Sequence, residues 1–164
     1  MSTKGEDMRP PTADLSVEST LAHCELLEPL SDDQIAALAD LSRMVPLREG
    51  EALFDQDTVA HSLFVVASGR LAIRLATPAG KTIEVVEVGQ FALSGWSSLV
   101  APHMYVAEAH ALEDSAVIAI SADELEAVLL RDPEAAYLVM KKLAGLISTR
   151  LREMKEELIE VLES

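Results

Sequence analysis

The spacing of apolar positions changes three times along this chain. Residues 1–16 are polar, contain consecutive prolines at Pro10 and Pro11, and follow neither a helical nor a strand period, so they read as a flexible leader. Helical spacing follows. Leu21, Leu26 and Leu27 share one apolar face that ends near Pro29. Ser31-Asp32-Asp33-Gln34 then opens a second helix, with Ser31 placed to cap it, Gln34 placed to reach back, and Ile35, Leu38 and Leu41 as its buried stripe.

From Met44 the rhythm shortens. The runs Met44–Leu47, Ala52–Phe54, Ser62–Val66, Arg70–Ala76, Lys81–Val88, Tyr105–Ala111 and Ala116–Ile120 read as strands. Turn residues at Glu49-Gly50, Ser68-Gly69, Pro78-Ala79-Gly80 and Gly89 separate them. Leu71, Ile73 and Leu75 alternate cleanly onto one face. Successive glycine-bounded hairpins predict an antiparallel β jelly roll, a double-stranded β-helix.

Helices then return. Ser121-Ala122-Asp123-Glu124 has the form of a capping box, and Leu125, Val128 and Leu129 supply that helix with an inward face. Asp132-Pro133 ends it and starts a last helix running to about Leu162, interrupted only by Gly145. Met140, Ala144, Ile147, Leu151, Met154, Leu158 and Val161 alternate four and three apart, the spacing of a coiled-coil seam. A second copy of the chain is its simplest cover; the barrel of the same chain is the other. The fold class is therefore α+β: leader 1–16, jelly-roll domain 17–132 with its N-terminal helices, and long C-terminal dimerisation helix 133–164.

Charge narrows the partners. Thirteen basic against 28 acidic residues give a net −15, and the sole adjacent basic pair is Lys141-Lys142. That excludes nucleic acid as a main partner, since phosphate binding needs clustered cations. The single cysteine, Cys24, excludes an internal disulfide framework and a four-cysteine metal site; set among Leu21, Leu26 and Leu27, it reads as a small buried apolar residue. No stretch approaches the roughly 20 apolar residues of a membrane span, so no membrane association and a cytoplasmic location are expected. His23, His61, His103 and His110 contain no His-x-His pair, and no nucleophile elbow, P-loop or dinucleotide fingerprint occurs. No metal or cofactor is expected.

A family likeness rests on named stretches. Leu26-Leu27-Glu28-Pro29-Leu30-Ser31 leads into the first capping helix. Arg48–Asp57 gives a Gly-led hairpin and an acidic turn, and Ser62–Gly69 an apolar strand ending in glycine. Gly89-Gln90-Phe91 and Ala111–Ser115 flank the segment between them. In this order they resemble the cyclic-nucleotide-binding domain of the CRP/FNR type.

The resemblance implies a phosphate-binding cassette, in which a helix N-terminus and an arginine neutralise the cyclic phosphate and a glutamate binds the ribose hydroxyl. It puts Gly95-Trp96-Ser97-Ser98 at the helix start, with Trp96 in the place of the glutamate. It puts Tyr105-Val106-Ala107 in the place of Arg-Ser-Ala. A buried phosphate without a countercharge costs several kcal/mol. Tight binding of cyclic AMP or cyclic GMP is therefore not expected.

The candidate pocket is Phe91, Gly95, Trp96, Ser97, Ser98, Tyr105 and Val106, with Arg150 of the long helix as the cation nearest to a replacement. Trp96 and Tyr105 either wall a flatter, less charged ligand or fill the cavity themselves. Family transcription factors continue into a helix-turn-helix, whereas Glu156, Glu157, Glu160 and Glu163 crowd the end of this sequence. The expected function is a non-catalytic sensor or regulatory module that forms a homodimer through its C-terminal helix, answering to an unidentified partner protein or small ligand. Two alternatives stay open: a genuine cyclic-nucleotide sensor in which Arg150 and backbone amides compensate, and a cupin-type jelly-roll enzyme.

Overall fold

The computed structural model describes residues 16–164. The leader lies outside the described residues except Ser16. Its hydroxyl accepts from the Ser19 N–H at 3.0 Å and caps α1 (Val17–Ala22). A single 3-10 turn, Glu25–Leu27, and α2 (Asp32–Asp40) follow. At Ser31 the capping box closes both ways: Ser31 N–H donates to Gln34 Oε1 at 2.8 Å and Gln34 N–H donates to Ser31 Oγ at 3.2 Å. Leu41 does not join the stripe of Ile35 and Leu38. It sits at the C-cap, 51% exposed, because the helix has ended before its phase is used.

Eight strands come next: β1 (Arg43–Leu47), β2 (Ala52–Phe54), β3 (Ser62–Ser68), β4 (Leu71–Ala76), β5 (Thr82–Val88), β6 (Leu93–Ser94), β7 (Glu108–Ala111) and β8 (Ser115–Ser121). They form two four-stranded antiparallel sheets, ordered β1-β8-β3-β6 and β2-β7-β4-β5. The central strand β3 is buried on both faces, which is why its sequence runs apolar without alternating. Leu63 and Val65 pack with Ile118 and Ile120 toward the helices. Phe64 and Val66 pack with Leu71, Val88 and Val117 between the sheets.

The hairpin turn after β3 requires glycine. Gly69 has φ +84°, and a Cβ there would meet Ser115 Cβ at 2.6 Å and Ser115 Cα at 2.8 Å.

Ser121 caps α3 (Ala122–Leu130) by accepting from the Glu124 N–H at 3.5 Å, and Leu125 and Leu129 are buried while Val128 is half-buried. Asp132 caps α4 (Pro133–Glu163) by accepting from the Ala135 N–H at 3.1 Å, and Gln34 Nε2 donates to the same carboxylate at 3.0 Å, tying α2 to the root of α4. These bonds, that from Ala135 foremost, hold the Asp132 carboxyl below the usual carboxylate range.

Ala135, Val139, Leu143 and Arg150 form the buried face of α4. The predicted seam therefore splits. Ile147 packs on the helix-side core and Met154 lines a cavity of its own chain, while Met140, Ala144, Leu151, Leu158 and Val161 stay exposed. A straight helix drifts against a strict 3.5-residue repeat, so a long seam cannot keep a single neighbour. No helix among the described residues is long and apolar enough to cross a membrane.

Candidate functional site

Sequence places the candidate site in the link from β6 to β7. Gly95, buried with φ +79°, turns the chain from β6 into a second 3-10 turn, Trp96–Leu99. A Cβ on Gly95 would lie 3.1 Å from Phe64 Cδ2 and from the Ser62 carbonyl oxygen, and 3.3 Å from Tyr105 Cε1. Only glycine combines that backbone with that proximity.

Trp96 and Leu99 anchor the turn on the helix-side core. The hydroxyl of Ser98 is buried and donates to the Gly95 carbonyl at 2.9 Å, so it closes the turn on itself. His103, at φ +59°, has Nδ1 3.1 Å from the Ser98 carbonyl oxygen, in position to donate as the Nδ1–H tautomer.

Tyr105 belongs to no strand. Its N–H donates to the Thr58 carbonyl at 2.9 Å and its carbonyl accepts from the Asp57 N–H at 2.7 Å, which clamps it to the link between β2 and β3. The predicted strand from Tyr105 accordingly begins only at Glu108. The phenol points into the barrel, 6% exposed. Its hydroxyl donates to the Ser62 carbonyl at 2.6 Å, and its ring stacks on Phe54 with centroids 4.0 Å apart. Burial pushes the phenol above its ordinary pKa, opposed in part by that bond to Ser62.

Around Trp96, Ser97, Tyr105 and Val106 the space left is about 40 Å³, with Ser94, Gly95 and Ala107 nearby in the chain and Phe54, Ile73 and Met154 from farther away completing the walls. Small-molecule pockets begin at about 300 Å³, several times this space. The cavity is filled by its own side chains. Val106, 61% exposed, touches it only from the rim.

Three predicted pocket residues lie elsewhere, and the first, Ser98, lines a groove beside α3 instead. Phe91 does not face this cavity: it adopts φ +65°, stacks on His23 at 4.7 Å, and lines a separate groove of about 640 Å³ between the N-terminal segment and α4. Arg150 is buried, 7% exposed, but its Nη2 donates to the Leu93 carbonyl at a long 3.5 Å and its Nη1 lies 3.9 Å from Glu153 Oε2, without lining the cavity. Desolvation lowers its pKa from the usual arginine value and Glu153 works the other way.

Sequence reasoning missed the wall residues Ser94 and Ala107 beside the candidate stretch, and Phe54, Ile73 and Met154 from three distant segments. Strand alternation was the signal for Ile73, and helical phase one turn beyond Arg150 was the signal for Met154. Among the described residues, no three His, Cys, Asp or Glu side chains converge as metal ligands.

Comparison with known proteins fits this architecture. The family model of the cyclic nucleotide-binding domain matches residues 44–132. The chain is 31% identical over 110 residues to the cyclic AMP receptor protein of Thermus thermophilus, an alignment covering 67% of this chain and 49% of that protein, so it spans about half the length of this curated relative. The sensor domain of the transcriptional regulator DNR from Pseudomonas aeruginosa superposes with a TM-score of 0.72 at 26% identity, over 83% of this chain and 91% of that one. The N-terminal domain of a transcriptional regulator from Streptomyces coelicolor A3(2) gives 0.67 at 27% identity, over 82% and 94%.

Proposed function

Since this chain belongs to the cyclic nucleotide-binding domain family, we propose that it is a non-catalytic regulatory module whose nucleotide site has been closed by its own aromatic side chains. In this reading residues 17–132 form the barrel unit, and α4 pairs two copies in the cytoplasm through its exposed apolar stripe. One observation carries it: Tyr105, stacked on Phe54 and bonded to Ser62, leaves about 40 Å³ at the cassette. Displacing that ring to admit a phosphate would expose a satisfied hydrogen bond and bury an anion beside an apolar wall. Calorimetry with cyclic AMP and cyclic GMP at micromolar ligand tests the reading. No heat and an unmoved melting temperature are expected; saturable binding overturns it.

Arg150 favours a second reading, a true cyclic-nucleotide sensor. A buried guanidinium with both recorded partners at the edge of bonding distance has donors to offer an anion once Tyr105 swings out. A cyclic nucleotide that raises the melting temperature of the wild-type chain but not of Arg150→Met would establish it.

A further inference from the structure

A groove of about 540 Å³ lies on the opposite side of the cassette turn, where Leu99 meets α3 and the root of α4. Leu129 and Ala136 form its floor. Its rim is unusually apolar for a surface: Val59 is 57% exposed and Leu130 75%. Contiguous exposed apolar surface edged by polar groups marks a protein-interaction site more often than a bare surface.

Two carboxylates, Asp123 and Glu126, and two histidines, His61 and His103, complete the rim. Asp123 and Glu126 stand one turn apart on α3, both exposed, and among the described residues no Lys or Arg nitrogen lies within 4.0 Å of either.

We propose that this groove docks an amphipathic, basic helical segment of a partner protein, its apolar anchors seated on Leu129 and Leu130 and its lysines or arginines against Asp123 and Glu126. Charge selects that occupant over a second copy of the chain. A second copy of the chain carries the same net charge of −15, so it approaches this carboxylate-edged face against repulsion. A basic partner gains attraction at the same positions. An apolar face inserted between the helices is the familiar helix-in-groove mode of recognition. The inference stands apart from the closed nucleotide site, since none of these groups lines that cavity.

The test titrates the full chain with a fluorescent Leu/Lys amphipathic peptide of about five turns, and with its Leu/Glu counterpart, reading anisotropy. The Lys peptide should bind saturably at one per chain and the Glu peptide should not. Leu130→Glu should weaken binding about tenfold or more, and the pair Asp123→Asn with Glu126→Gln about five- to tenfold with a shallower salt dependence. Glu156→Gln with Glu160→Gln, far along α4, should change nothing. Equal weakening by that distal pair, or indifference to both groove variants, would mean unspecific attraction to an acidic protein and overturns the proposal. A fall in sedimenting mass on Leu130→Glu overturns it too, because the groove would then belong to a contact between copies. The melting temperature of each variant is followed alongside, and all of these side chains are exposed enough to be changed without unpacking the core.

Discussion

The ring of Tyr105 lies nearly parallel to that of Phe54, 15° between planes and 4.0 Å between centroids, while its hydroxyl reaches 2.6 Å to the Ser62 carbonyl oxygen. One side chain thus joins the loop after the cassette to β2 and β3 together. Tyr105→Ala removes the stack, the bond and the filling at once, and should cost about 3–5 kcal/mol in urea unfolding. Tyr105→Phe keeps the ring and should cost about 1–2 kcal/mol, the loss of a bond to a buried acceptor. The cavity opened by Tyr105→Ala has the shape of p-cresol, so p-cresol should raise the melting temperature of that variant and leave wild type unmoved. Equal costs for the two variants would contradict the stack as the main contribution.

Alkaline pH should weaken the fold. Burial raises the folded-state pKa of Tyr105, and it pushes the Cys24 thiol from 9.0 up to about 11. For a raised pKa the stabilisation is complete below the unfolded value and disappears as pH climbs through the folded one. Stability should therefore fall from about pH 9 upward, first through Cys24 and then through Tyr105. Cys24→Ala should flatten the early part of the decline and Tyr105→Phe the later part. Unfolding curves across that range check both.

Leu151 is 68% exposed on α4, in line with Met140, Ala144 and Leu158. Leu151→Glu should leave the melting curve of the barrel nearly unchanged, since the side chain contributes little to its own core. In sedimentation the same substitution should convert a two-copy species into a single one. An unchanged mass would refute pairing through this face.

Arg150 invites the opposite expectation from most buried residues. Its guanidinium is desolvated without a close carboxylate, the geometry in which an apolar isostere does as well or better. Arg150→Met should keep or raise the melting temperature. A clear loss of stability would mean that the 3.5 Å bond to Leu93 contributes more than its length suggests.

The fold was readable wherever a period or a turn residue carried it. The capping box at Ser31 and the hairpin glycine at Gly69 recur in the structure as the spacing requires, and α4 starts at the proline that suited it. What escaped were features decided by distant chain segments. Strand β6 spans only Leu93–Ser94, too short for any alternation to register. Tyr105 has strand neighbours in sequence, yet its backbone bonds to Asp57 and Thr58, which no local pattern reveals.

At the candidate site, Gly95, Trp96, Ser97 and Tyr105 line one small cavity, while Ser98 lines the groove beside α3. Phe91 does not, because its left-handed backbone turns the ring onto His23. A heptad count along α4 likewise cannot tell which neighbour claims each residue, and Met154 went to the barrel.

Residues 156–163 of α4 hold four glutamates, Glu156, Glu157, Glu160 and Glu163, and no basic residue. Two such helices lying in parallel would set these ends side by side, a repulsion reaching across roughly one Debye length, about 8 Å at physiological ionic strength. Self-association of this chain should then tighten as electrolyte is added, the reverse of what ion-paired assemblies do.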